Sequence, residues 1–270
     1  MSVPGTGPQA TRIPMGSGEI NLFRQGSGRP LLVLHAAGGA GAWNPYLERL
    51  SEHADVLAPD HPGFGRSDEL PEIGTVAQIA QHYLRLLDAL GLERIDLVGA
   101  SFGGWIAAEL AAAAPERVER LVLMAPAGLR VPGAEPADLF TMSPEQIVRA
   151  LFLDRSIADA ALAAPPSEEA AQQAARDGAA FARFAREPFL HDPELPGRLP
   201  SITARTLVLA AEVDEIIPRA HSEAYAAAIE GAEFRVVPGC GHALYQELPD
   251  RVADEVIGFL TTSEAPARRG

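Results

Sequence analysis

The stretch Ile95-Asp96-Leu97-Val98-Gly99-Ala100-Ser101-Phe102-Gly103 decides how this chain is read. A short apolar run, Ile95 to Val98, leads into Gly99-Ala100-Ser101-Phe102-Gly103, and a helix-like run ending at Ala114 follows. In a G-x-S-x-G turn between a strand and a helix, the serine sits at a strained backbone position. The flanking glycines let the two backbones approach where a Cβ would clash. The hydroxyl then points out of the sheet, so Ser101 is the candidate nucleophile.

Outward from this turn, apolar runs that read as strands fall at Ile20 to Arg24, Leu31 to Leu34, Val56 to Ala58, Leu121 to Met124, Leu207 to Ala210 and Phe234 to Val237. Several lack polar alternation, as parallel strands covered on both faces do. Helix-like segments at Thr75 to Leu90, Phe102 to Ala114, Arg219 to Ile229 and Pro249 to Leu260 lie between and after them. That alternation predicts a doubly wound α/β sheet. It breaks between about Ala127 and Pro200, where helices are expected at Pro144 to Leu153, Ile157 to Ala163 and Ser167 to Arg186. The predicted organisation is a core in two parts, residues 1–126 and 201–270, with a helical insertion at 127–200. Met1 to Ser17 and Glu264 to Gly270 read as poorly ordered tails.

A serine hydroxyl is a weak nucleophile and needs a histidine base, itself oriented by a carboxylate. Of seven histidines, His242 stands out, because Gly239-Cys240-Gly241-His242 follows the last apolar strand and places an imidazole on a loop at the sheet edge that bears Ser101. His35 also follows a strand, but it leads into Ala36-Ala37-Gly38-Gly39, a loop suited to donating backbone N–H groups. His53, His61, His82, His191 and His221 read as structural. Asp214 follows the strand Leu207 to Ala210 and is the candidate acid, with Glu212 and Glu215 as local competitors.

Composition narrows the function. A formal net charge of -14 would repel phosphate backbones and anionic membranes, so nucleic acid and membrane partners are not expected. All 22 basic residues are Arg, which removes Schiff-base, pyridoxal-phosphate and Walker-type lysine chemistry together. The single cysteine, Cys240, excludes an intramolecular disulfide and reads as a packing thiol. No signal peptide or membrane-length apolar run is read, so a cytoplasmic protein with a small-molecule substrate is expected. The oligomeric state is left open. His35, His61 and His242 lie on separate loops without zinc-ligand spacings, and neither metal nor cofactor is expected.

The chain resembles the α/β-hydrolase superfamily, in particular its capped serine hydrolases: esterases, lactonases, haloperoxidase-like enzymes and C–C bond hydrolases of meta-cleavage products. Besides the elbow, the resemblance rests on His35-Ala36-Ala37-Gly38-Gly39, Asp60-His61-Pro62-Gly63-Phe64-Gly65-Arg66-Ser67, the Asp214 segment with Pro218 after it, and Gly239-Cys240-Gly241-His242. The order Ser101, Asp214, His242 is the family's. The resemblance implies an α/β-hydrolase fold, an oxyanion hole from the N–H groups of Ala37 and Phe102, and an Asp60 to Ser67 segment that braces the loop bearing Ala37. It also implies an insertion that caps the site, with Leu139, Phe140, Met142, Leu151, Phe152, Phe181, Phe184 and Phe189 as candidate pocket residues. Two departures matter. Ala36 replaces a usual glycine, and Ala243 stands where the C–C hydrolases usually carry tryptophan. Relatives with an elbow aspartate, the haloalkane dehalogenases and epoxide hydrolases, are excluded by Ser101. The expected activity is acyl transfer from small apolar carboxylic esters or lactones to water. C–C bond hydrolysis is the alternative, and a non-hydrolytic receptor or cyclase on the same fold is a further one.

Overall fold

Apolar runs without polar alternation need cover on both faces, and in this chain they line up as the centre of one sheet. The computed structural model describes residues 7–39, 41–164 and 166–262. Its strands are β1 (Gln9–Met15), β2 (Gly18–Gly26), β3 (Pro30–Leu34), β4 (Asp55–Pro59), β5 (Ile95–Ala100), β6 (Val118–Met124), β7 (Arg205–Ala211) and β8 (Glu233–Val237). They form one sheet in the order β1-β2-β4-β3-β5-β6-β7-β8. The β1–β2 and β2–β4 pairs are antiparallel, and the pairings from β4 through β8 are parallel.

Side chains alternate across the central strands into two separate cores. Leu32, Leu34, Leu97, Leu121 and Leu123 face one side, and Leu31, Val33, Val98, Val122 and Leu209 face the other. The helices are α1 (Pro45–Ser51), α2 (Val76–Ala89), α3 (Phe102–Ala113), α4 (Pro144–Leu151), α5 (Arg155–Ala163), α6 (Glu168–Ala185), α7 (Leu195–Arg198), α8 (Ala220–Ala228), α9 (Leu244–Glu247) and α10 (Pro249–Thr261). The first core takes α2 and α3, and the second takes α1 and α10. This is the mostly parallel, doubly wound α/β arrangement that the alternation predicts. Local signals set several helix starts: Thr75 with Gln78 and Ser143 with Gln146 form capping boxes, and the Ser167 hydroxyl accepts from the Ala170 N–H. From Ala125 to Ala204 there is no strand among the described residues, only α4 to α7 and their connections.

The expectation of a poorly ordered N-terminal tail is corrected. Residues 9–15 form the edge strand β1, hydrogen-bonded along its length to β2 through the turn at Gly16. Most of its side chains face solvent, so no hydrophobic pattern announces it. The backbone ladder and Arg12, which reaches Glu19, Asp68 and the Arg66 carbonyl, hold it in place. Residues 1–6 and the predicted C-terminal tail from 264 onward lie outside the described residues. The short helices α1, α7 and α9 carry too few turns to show a period in the sequence.

The β5–α3 turn brings helix and strands into very close approach. A Cβ at Gly99 would lie 2.3 Å from the Gly103 carbonyl oxygen, and one at Gly103 would lie 2.2 Å from that of Leu34. Both positions therefore admit only glycine, and α3 begins pressed against β3 and β5.

The loop after β3 is held from beneath by two stacked imidazoles, His35 and His61, whose ring centres lie 3.7 Å apart. The His61 N–H donates to His35 Nε2 (3.0 Å), so His35 carries its proton on Nδ1 and donates to the Ala36 carbonyl (2.7 Å). His61 donates from Nε2 to the His35 carbonyl (2.9 Å) and accepts from the Tyr83 hydroxyl at Nδ1 (2.5 Å). Both rings are thus fixed as neutral tautomers. Burial pushes both pKa values down, that of His61 well below the ordinary histidine range. Asp60 completes the brace, accepting from the Gly41 and Arg66 N–H groups (2.6 and 2.8 Å) and from Asn21 Nδ2 (3.0 Å).

Two expected outcomes follow from this packing. Gly103→Ala gains roughly 1 kcal/mol of helix propensity, but its methyl meets backbone atoms that cannot give way. Net destabilisation of about 3 kcal/mol or more is expected in urea unfolding. Histidines held neutral in the fold and charged in the unfolded chain stabilise fully above pH about 6.5 and progressively less below it. His82, lowered to about 4 chiefly by burial, acts with the same sign. The Tm should therefore fall steeply between pH 6.5 and 4.5, and His61→Gln, though less stable at pH 8, should show a shallower fall over that interval.

Candidate active site

Ser101 takes φ 51°, a left-handed conformation costing a non-glycine residue roughly 1–3 kcal/mol, and three backbone bonds hold it there. Its N–H donates to the Met124 carbonyl (2.8 Å), and its own carbonyl accepts from Trp105 and Ala127 (3.1 Å each). The hydroxyl faces His242, with Oγ donating to Nε2 at 2.9 Å. On the far side of the ring, Nδ1–H donates to Asp214, 2.8 Å from Oδ2 and 3.0 Å from Oδ1. Asp214 is held in turn by the N–H groups of Ile216 (2.9 Å) and Ile217 (2.7 Å). His242 and Asp214 are almost wholly buried. The three residues thus come together from the turn after β5, the loop after β7 and the loop after β8, each at the C-terminal end of a parallel strand.

The local competitors of Asp214 point elsewhere. Glu212 accepts from the Gly239 N–H (2.7 Å), and Glu215 pairs with Arg155 at the surface (3.2 Å). Cys240 is buried with its thiol 3.3 Å from the Val237 carbonyl, and burial pushes its pKa up to about 11, which suits packing rather than attack. Among the described residues no group of three or more His, Cys, Asp or Glu could hold a metal ion.

Ser101 and His242 open into a cavity of about 560 Å³ beneath α4 and α6. Ala36, Ala37 and Gly38 form its wall beside the nucleophile. The N–H groups of Ala37 and Phe102 have no protein acceptor among the described residues, so they are free to donate to an oxygen on a bound acyl group. Of the eight apolar residues singled out from the sequence, Leu139, Phe140, Leu151 and Phe181 line the cavity. The other four require correction. Phe184 is buried against Phe102 with ring centres 6.4 Å apart, Met142 and Phe189 pack on the core at the base of the insertion, and Phe152 sits at the end of α4 beside Gly241. The sequence reading also missed Ile147, Gln173, Asp177, Ile216, Ala243, Tyr245 and Gln246. One signal could have found some of these: Gln173, Asp177 and Phe181 recur every fourth residue on α6 and so share a face. Asp177 carries the one carboxylate and His242 the one imidazole among the described lining residues, and no arginine is among them.

No helix among the described residues is long and apolar enough to cross a membrane.

The match to known proteins covers nearly the whole chain. The model of the alpha/beta hydrolase family matches residues 31–255. The 2-hydroxymuconate semialdehyde hydrolase of Pseudomonas putida is 36% identical over 98% of this chain and 99% of its own length. The 2-hydroxy-6-oxo-6-phenylhexa-2,4-dienoate hydrolase of Comamonas testosteroni is 31% identical over 89% of this chain and 91% of its own. Among solved structures, a meta-cleavage product hydrolase, CumD, superposes with a TM-score of 0.78 at 25% identity, covering 93% of this chain and 97% of that one. A bacterial membrane phospholipase A reaches the same TM-score at 25% identity, over 94% and 86%. Together with the mostly parallel sheet, these matches establish that the chain belongs to the alpha/beta hydrolase family and is a hydrolase.

Proposed function

We propose that this protein is a serine hydrolase that cleaves small, apolar carboxylic esters or lactones through an acyl-enzyme on Ser101. The observation that carries this reading is the unbroken chain Ser101 Oγ, His242 Nε2, His242 Nδ1, Asp214, opening into an apolar cavity. His242 Nε2 takes the hydroxyl proton as Oγ attacks the carbonyl carbon, and Asp214 stabilises the imidazolium that forms. The N–H groups of Ala37 and Phe102 meet the oxyanion, where each such donor is worth about 10² to 10³ in rate. His242 then returns the proton to the leaving oxygen. A water deprotonated by the same nitrogen attacks the acyl carbon and frees Ser101. Residues 127–200 serve as a cap that keeps bulk water from the site.

A second reading, hydrolysis of a C–C bond in a dienoate, is favoured by the relatives named as hydrolases of 2-hydroxymuconate semialdehyde and of 2-hydroxy-6-oxo-6-phenylhexa-2,4-dienoate, at 36% and 31% identity. Two features of this cavity favour the ester. A dienoate brings a carboxylate, whose burial costs several kcal/mol unless a cation or donors meet it. Here Asp177 shares the cavity, and no arginine lines it among the described residues. Ala243 also leaves open the space beside His242 that a larger side chain would fill.

Ser101→Ala and His242→Ala should each lower kcat by about 10⁶, and Asp214→Asn by about 10⁴, since the acid orients and stabilises without taking the proton. A fluorophosphonate should label Ser101 alone, and label on Cys240 would overturn the assignment. In a kcat/KM panel, p-nitrophenyl butyrate and a neutral lactone should exceed both a hemisuccinate ester and a meta-cleavage dienoate by tenfold or more, equivalent to about 1.4 kcal/mol in the transition state. A dienoate ahead of every ester would replace this reading with the second.

A further inference from the structure

The carboxylate of Glu247, on α9 five residues past His242, is buried at 8% exposure and has no ion-pair partner among the described residues. Three backbone N–H groups converge on it instead. Oε2 accepts from Gly241 (2.7 Å) and Leu153 (3.2 Å), and Oε1 accepts from Asp154 (2.6 Å). Gly241 belongs to the loop that carries His242, whereas Leu153 and Asp154 join α4 to α5 in the segment over the cavity. A second tie lies on the other side of the histidine, where the Ala243 N–H donates to the Leu151 carbonyl (3.0 Å). The two chains touch so closely that a Cβ at Gly241 would lie 2.7 Å from the Leu151 oxygen and 2.8 Å from the Leu153 nitrogen. Both residues flanking His242 are therefore bonded into residues 151–154.

We propose that Glu247 is a positioning residue. It makes the α4–α5 connection part of the scaffold of the catalytic base, and so holds the imidazole at hydrogen-bonding distance from Ser101. This rests on His242 being the base. A carboxylate is the group that fits, because it only accepts, and all three groups facing it are donors. Glutamine keeps the shape but turns an NH₂ toward an N–H. The loop then relaxes, and a displacement of the order of 1 Å at a reacting group costs about a hundredfold in rate. The α4–α5 end of the insertion is, on this view, a fixed abutment for the loop that carries His242.

The test is E247Q, assayed with p-nitrophenyl butyrate after counting active sites by exhaustive fluorophosphonate labelling. The expected result is a kcat per labelled site at least tenfold lower with KM changed less than threefold, and a similarly slower labelling rate. A merely structural role would lower the count of labelled sites and leave kcat per site within twofold of wild type, which would overturn the proposal. Should E247Q not fold, the pair D154P and D154A decides. Both lose the side chain that caps α5, but only proline also removes the N–H bonded to Glu247, and the φ of -72° at this position suits it. A kcat for D154P at least threefold below that of D154A supports the tie, and equal values refute it. H242A separates the two levels of argument. An active H242A would remove the proposed function itself, whereas an inactive H242A beside a fully active E247Q would remove only the positioning role.

Discussion

The close approach of α3 to β3 and β5 is the constraint on which the other parts of the site depend. With no Cβ at Gly99 or Gly103, the helix starts so near the strands that added methyls would lie 2.3 and 2.2 Å from backbone oxygens, and the turn holds Ser101 at φ 51°. The cost falls on one residue, and three ordinary backbone hydrogen bonds offset it. In return, the hydroxyl stands clear of the sheet, and the first free N–H of α3, that of Phe102, points at the same space. On the proposed mechanism, one turn thus sets both the nucleophile and an oxyanion donor.

The loop that offers the second donor shows how polarity is arranged beneath a reacting centre. His35, His61, Tyr83 and Asp60 are all buried or nearly so, and each ring nitrogen of the two histidines has a partner. Neutral rings fixed in complementary tautomers orient the loop without placing a positive charge under the proposed oxyanion hole. A cation there would be held by the same groups that must stay still when negative charge develops on the substrate. The proposed mechanism leaves that charge to two backbone dipoles, which need no reorganisation.

The parts legible in the sequence are those whose physics is local or periodic. Seven of the eight strands are short apolar runs, and the elbow glycines, the order Ser101, Asp214, His242 and the capping serines and threonine are written in residue types. β1 was illegible because its stability lies in main-chain bonds to β2 and in one arginine, while its side chains face water. The choice of Asp214 over Glu212 and Glu215 rested on position after a strand. The deciding fact is geometric, since only Asp214 is bonded to His242 while the other two accept from Gly239 and pair with Arg155. The cavity wall was half legible. Phenylalanine content says that the insertion has an apolar face, but Phe181 and Phe184 are one turn apart and both buried, and only the first lines the cavity.

The segment over the cavity is bound to the core at both walls, by contacts of different kinds. At α4 and α5 the ties run to the loop of His242, through Glu247 and the Ala243 N–H. At α6 they run to the loops that brace the oxyanion hole: Asp177 accepts from the Gly65 N–H (2.9 Å), and Arg183 reaches Glu69 and the carbonyls of Leu70, Pro71 and Ile73. The first set is buried and built on one carboxylate. The second is spread over an aspartate and a partly buried guanidinium, and it flanks Phe181 and Phe184, which are buried against Phe102. The two walls also differ in composition, with Ile147 and Leu151 on α4 facing a mixed row on α6, where Gln173, Asp177 and Phe181 alternate with the small residues Ala170, Ala174 and Gly178, so the polar groups that could orient a substrate lie on the α6 side while α4 supplies apolar surface.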